Sequence, residues 1–418
     1  MKKSVLIAAA LVLCSGTALA DVIADWNTRT LQASVTGARR GPSSLLDLPM
    51  VHLAMHDAVQ AYEGRYTFYC GAPSNPPGSP VAAAAAAAHG VLLGLFPAQA
   101  TALATTYSSL TAQYIQQGLM LANDPGAGVG QQTAACMLGR LQADNAMRSK
   151  PDGFIGGTGL GEWRPTVPAG PNGPVPMLVD FMASFTPFTL HSASQFRIAN
   201  GPPALWSGAY AKAYEEVRAK GALTNSTRTQ EETDIARFFA DGPPNYWNRL
   251  MRDLNATGSM GLGDSARMFA LVNVAMADAV LTAWDSKIAW NFWRPVTAIR
   301  MGNDDGNPRT VGDPAWSSYL PTPNYPDYTS GAANLAGAAS TMLENLLGSD
   351  ELSFSLFSGT AAPSPVERKY TRLSDAARDV VDARIFMGIH FRFADTGALR
   401  QGRHVANWAF GHFLKPLQ

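Results

Sequence analysis

The chain has 418 residues, with 32 Lys plus Arg against 32 Asp plus Glu and no formal net charge. That length suffices for one large domain or two small ones. Without a basic surplus the chain is a poor candidate for binding nucleic acid or an anionic membrane surface.

Residues 1–20 read as a secretory leader. Lys2 and Lys3 form its positive end, residues 5–13 its apolar stretch, and Ala18-Leu19-Ala20 a cleavage site. A lipoprotein reading of Cys14 is disfavoured by Leu13, which stands where a small residue is wanted. The apolar run is far below the ~20 residues of a membrane span, so no stable membrane anchor is expected. Loss of the leader removes two lysines and shifts the formal balance from 32 − 32 = 0 to 30 − 32 = −2. The expected location is the periplasm or the extracellular space. Cys70 and Cys136 remain, and either a disulfide or two lone buried thiols fits them.

In chain order, residues 45–62 have helical periodicity, and 75–80 form a Pro/Gly loop. The Ala-rich stretch 81–95 predicts a tightly packed helix that ends or kinks at Pro97. Further helices are expected over 98–118 and 126–146. From 149 to 188 glycine and proline dominate, and an ordered connector is expected, anchored by Trp163, Phe181, Phe185 and Phe188. Helical pattern returns over 203–220 and 227–239. A long helix capped by Asp264 or Ser265 is expected to run to Trp293. Residues 301–328 are proline-rich and irregular, and helices follow over 330–347, 373–391 and 396–414. Strand signals are scarce. The class is all-α, read as a single domain over 21–418. It divides into an N-terminal bundle (about 21–148), a loop-rich connector (about 149–200) and a C-terminal bundle (about 201–418).

Three constellations in the C-terminal part carry chemistry. In WDSKIAWNFWRPVTAIR, Lys287 and Arg294 lie seven residues apart among Trp284, Trp290, Phe292 and Trp293. On a continuous helix the two cations leave one face about 10 Å apart. Burying them costs several kcal/mol each without a compensating anion. Arg294 precedes proline, which frees it to be aimed independently of the helix. The bland alternative is a helix end with snorkelling cations. In PTPNYPDYTSGAA, Ser330-Gly331 opens a helix, whose free N–H groups and positive dipole end suit an anion. The alternative there is a plain N-cap. In ARIFMGIHFRF, Arg384 and His390 lie six apart, about 120° around a helix, with Arg392 nearby in otherwise apolar sequence.

Taken together and in this order, these motifs resemble the vanadium haloperoxidase and type 2 phosphatidic acid phosphatase (PAP2) superfamily. Its pattern is Lys-x6-Arg-Pro, then Ser-Gly-His, then Ser-Arg-x5-His. The chain carries Lys287-x6-Arg294-Pro295, Ser330-Gly331-Ala332 and Ala383-Arg384-x5-His390. The segments HDAVQAYEGRY, LFPAQATAL and FWRPVTAIR look like secreted bacterial haloperoxidase-like proteins. The resemblance implies two packed helical bundles and a vanadate cofactor, with phosphate able to occupy the same place. It implies that His390 bonds the vanadium, that Lys287, Arg294 and Arg384 neutralise the oxyanion, and that Ser330 and Gly331 hydrogen-bond its oxygens. The implied partners are hydrogen peroxide and a halide, or a phosphate ester. The expected activity is peroxide-dependent halide oxidation, with acid phosphatase as the runner-up. One departure matters: Ala332 stands where the pattern has its second histidine, an acid–base group. That loss opens a third reading, an oxyanion-binding relative with weakened catalysis. His404 is a candidate replacement acid. His52 and His56, spaced i, i+4, are read as structural because no carboxylate lies between them to complete a zinc motif.

Overall fold

The computed structural model describes residues 21–72, 76–171 and 173–417. The leader expected over 1–20 therefore lies outside the described residues. Six helices come first: α1 (Val22–Thr36), α2 (Asp47–Glu63), α3 (Pro80–Leu95), α4 (Ala100–Gln116), α5 (Gly126–Arg140) and α6 (Gln142–Met147). The helix expected over 126–146 is two helices, parted at Leu141. The alanines of α3 let α5 approach closely: a Cβ on Gly130 of α5 would run into the carbonyl of Ala83. Cys70 and Cys136 are paired, tying the segment after α2 to α5.

The connector is ordered and mostly irregular, with one short 3-10 turn at Asp180–Ser184. Trp163, Phe181, Phe185 and Phe188 anchor it, all buried. Then follow α7 (Gly208–Lys220), α8 (Gln230–Phe238), α9 (Pro243–Asn255) and α10 (Leu262–Trp290). Helix α8 begins in a capping box, Thr229 with Glu232.

Helix α10 is the axis of the molecule. It packs on α2 on one side and on α12 (Gly331–Leu347) and α14 (Arg392–His412) on the other. Among the described residues it alone is a single helix long and apolar enough to span a membrane, but 94% of its most apolar window is buried in the protein. Its boundaries differ from expectation. Gly261 is the N-cap, and Asp264 is held instead by both terminal nitrogens of Arg65 at 2.9 Å and by the Tyr66 hydroxyl. The helix ends at Trp290 because Asn291 turns left-handed (φ 44°), a conformation asparagine tolerates. A short α11 (Pro295–Arg300) follows.

Beyond α12 the chain forms a hairpin, β1 (Glu351–Phe357) and β2 (Glu367–Arg372), paired antiparallel. It leads into α13 (Leu373–Phe386) and α14. Helix α13 stops at Phe386, short of the expected 391, since Gly388 is left-handed (φ 79°) and abuts the backbone of Gly221. Arg384 and His390 thus belong to a helix end and the turn after it, not to one helix. Small residues let α12 and α14 cross closely. A Cβ on Gly402 would meet the Asn334 carbonyl, and one on Gly337 the Leu399 carbonyl.

Candidate active site

Lys287 lies in the last turn of α10, and Arg294 is the N-cap of α11 with extended backbone (φ −84°, ψ 157°), as a residue before proline prefers. The two cations therefore leave different elements, not one helical face. Both are fully buried. The intervening turn aims Arg294 back toward Lys287, and both face the ring of Tyr325, at 4.8 and 5.0 Å. Lys287 Nζ donates to the carbonyls of Pro326 (2.6 Å) and Asp327 (3.1 Å). Arg294 donates through Nε to Tyr325 O (2.7 Å) and through Nη1 to Ile389 O (2.6 Å). These carbonyls brace the cations without neutralising them.

Ser330 caps α12, and its hydroxyl faces the Ala333 N–H. The start of that helix is pinned from three sides. Gln401 of α14 accepts from Thr329 Oγ1 (2.8 Å) and Asn334 Nδ2 (2.7 Å), and donates to Ser286 of α10 (3.2 Å). A Cβ on Gly331 would come within 3.2 Å of the Trp284 ring. Glycine therefore lets the helix N-terminus sit at the floor of the cleft without a side chain in the way.

His390 and Arg384 complete the group. The ring of His390 is buried, and its Nδ1 lies 2.8 Å from Asp327 Oδ1. Burial, then the charges of Arg294, Lys287 and Arg384, hold His390 well below its ordinary pKa. A neutral imidazole that donates Nδ1–H to a carboxylate keeps its lone pair on Nε2, the pairing that orients a metal-binding histidine. Nε2 in turn lies 3.1 Å from Arg294 Nη1. Burial raises Asp327 to about 7, against the pull of Arg294 and Lys287. Burial and the neighbouring Arg294 push Lys287 well below its ordinary range.

The site is thus short of negative charge and rich in unspent donors. Arg294 Nη2 and Arg384 Nε are buried with no hydrogen-bond partner. Such groups are costly unless an acceptor meets them. A tetrahedral oxyanion fits this donor set: two planar forks, one ammonium, one hydroxyl and a helix N-terminus, with the lone pair of His390 Nε2 beside them. Gly331, Ala332, Arg384 and His390 line a cleft of about 500 Å³ that reaches Arg39 and Ser34 near the N-terminal helices.

Lys287, Arg294, Ser330, Gly331, Arg384 and His390 are therefore gathered in one place. Arg392 is not among their donors: Glu216 (2.9 Å) and Asp382 (2.7 Å) occupy its guanidinium. His404 is exposed and stacks on Phe196, so it does not replace the missing acid. His52 bonds the Asn27 side chain (2.9 Å) and stacks on Phe269, and His56 bonds the Thr67 carbonyl (3.2 Å). No cluster among the described residues would hold a metal ion through His, Cys, Asp and Glu alone. Two acids were not singled out from sequence: Asp327, and Asp395 in the first turn of α14, fully buried behind Ser330. A carboxylate three residues before Ser330-Gly331, in a segment bound for the interior, was the available signal for the first.

Residues 267–418 match the family model described as the VCPO second helical-bundle domain. The vanadium chloroperoxidase of Curvularia inaequalis is 28% identical over 378 residues, an alignment covering 69% of this chain and 61% of that protein. The chain thus spans under two thirds of that relative's length. A bacterial vanadium-dependent iodoperoxidase structure superposes with a TM-score of 0.77 at 23% identity, covering 94% of this chain and 97% of that one. A holo-type bacterial vanadium-dependent chloroperoxidase superposes with a TM-score of 0.69 at 19% identity, covering 87% and 90%. At such identities the superpositions establish the fold, and the sequence match covers the bundle that carries the cage. The C-terminal part of the chain thus matches a vanadium chloroperoxidase-type helical bundle, and the chain as a whole has the fold of the vanadium haloperoxidase structures on which it superposes.

Proposed function

We propose that the protein is a vanadate-dependent peroxidase that uses hydrogen peroxide to oxidise halide, with iodide favoured, then bromide. The observation that carries this reading is the buried, donor-rich cage around a histidine whose Nδ1 is fixed by Asp327. Vanadate, when bound, is a Lewis acid that activates peroxide without changing its own oxidation state. The protein's part is electrostatic. Lys287, Arg294 and Arg384 neutralise the oxyanion and draw charge from the oxygen a halide attacks. Ser330 and the Gly331 N–H orient the oxygens, and His390 Nε2 is the attachment point.

Ala332 tempers the expectation for hard reactions. Alanine moves no proton, and loss of a general acid costs about 10²–10⁴-fold. Easily oxidised halides suffer least, and hydrolysis of an unactivated phosphate ester suffers most. The same residue favours, as a second reading, an oxyanion-binding relative with little turnover. Adding orthovanadate to purified protein and assaying peroxide-dependent iodide and bromide oxidation beside phosphate-ester hydrolysis separates these readings. Tight binding without either activity supports the second. The Cys70–Cys136 pair supports placing the protein in an oxidising compartment, periplasmic or extracellular.

A further inference from the structure

We infer that Asp395, working through the hydroxyl of Ser330, is the proton donor of this site and takes over the task for which Ala332 has no side-chain acid. This rests on the oxyanion reading above. Asp395 is fully buried, and neither carboxylate oxygen has a completed hydrogen bond. The Ser330 hydroxyl lies against it, and the Ser330 N–H donates to the carbonyl of the preceding residue, Ala394 (3.2 Å). The start of α12 and the start of α14 are thereby locked together, with one acid and one hydroxyl in series behind the cage.

The groups facing Asp395 from the packed elements set its state. Asp327, on the segment before α12, repels its charge, and Arg384 at the end of α13 and Arg392 on its own helix favour it. Lys287 and Arg294 feel its charge from across the cage. Full burial with no completed hydrogen bond on either oxygen outweighs these and holds the carboxyl well above its ordinary range, which favours the neutral, donating form. A hydroxyl has one proton. If Asp395 were ionised, Ser330 would spend that proton on it and turn only lone pairs toward an oxyanion. A neutral Asp395 donates to Ser330 Oγ, leaving the serine proton for the oxyanion oxygen.

The stoichiometry needs such a donor. Halide plus hydrogen peroxide plus one proton gives hypohalous acid plus water. Ser330 passes its proton to the departing oxygen as it takes the Asp395 proton. The carboxylate is then reprotonated from water in the cleft by the reverse passage.

The test compares wild type with Asp395→Asn, Ser330→Ala and the double variant. The infrared difference between ligand-free wild type and Asp395→Asn should isolate one neutral carboxylic acid carbonyl at neutral pH, separate from that of Asp327, and Ser330→Ala should shift it. The Asn amide still donates to Ser330, so orthovanadate affinity should stay within about threefold, while iodide oxidation falls on the order of 10²-fold. In the Ser330→Ala background, Asp395→Asn should cost little more. Turnover of Asp395→Asn within about twofold of wild type, or no acid band at neutral pH, overturns the inference. Wild type that fails to bind orthovanadate sinks the vanadate reading instead, and the ligand-free infrared band still decides whether Asp395 is an available donor.

Discussion

His390 Nδ1 and Asp327 Oδ1 lie 2.8 Å apart, both buried, although 63 residues separate them in the chain. This contact fixes which ring nitrogen faces the cage. Asp327→Asn can present its amide nitrogen where Nδ1–H now finds an acceptor, and so disturbs tautomer and orientation. Such partner losses cost about 10–100-fold in affinity. Calorimetry with orthovanadate should show a loss of that size with the fold intact. Unchanged affinity would mean that the pair is structural only.

Lys287 gives the site a pH dependence of definite sign. In the free protein, burial and Arg294 depress its pKa. A bound oxyanion favours the charged ammonium and raises it again, so binding takes up a proton. Phosphate or vanadate affinity should therefore weaken as pH rises above the free-protein pKa of Lys287, after correction for the anion's own ionisation. Lys287→Met should bind more weakly and lose this component of the slope. A slope identical in both proteins would assign it elsewhere.

Ala332 lines the cleft and is only partly buried, so a larger side chain can be accommodated there. Ala332→His places an imidazole where the family pattern has one. Phosphate-ester hydrolysis should rise by roughly 10²-fold or more if the missing acid limits it, while orthovanadate affinity changes little. No gain with intact binding would mean that the side chain at position 332 does not limit ester hydrolysis.

The Cys70–Cys136 pair closes a separation of 66 residues. On chain entropy alone such a crosslink contributes roughly 4 kcal/mol. Cys136→Ser should lower the denaturation midpoint accordingly, read by urea titration followed by circular dichroism. An unchanged midpoint would mean that the thiols are not joined in the purified protein.

Much of the helical fold was legible because buried apolar faces repeat with helical period, and the three motifs lay close enough in sequence to read directly. What escaped depended on partners far along the chain. Helix α9 begins Pro243-Pro244, which reads as a breaker yet is tolerated in the first turn of a helix. The hairpin did show alternation at Leu352, Phe354 and Leu356, but only over seven residues. The stop at Gly388 depends on the close approach of Gly221, more than 160 residues earlier. Asp327 and Asp395 looked like ordinary acids until folding buried them beside His390 and Ser330.

The proposed function places vanadate-dependent halide oxidation at the cage around His390. The most direct test is to strip the protein of oxyanions, titrate in orthovanadate, and follow peroxide-dependent iodide oxidation in wild type and His390→Ala. Wild-type activity should rise to saturation, with bromide slower and chloride slowest, and His390→Ala should show neither activation nor tight binding. Iodide oxidation independent of vanadate, or equal activation in His390→Ala, would contradict the account.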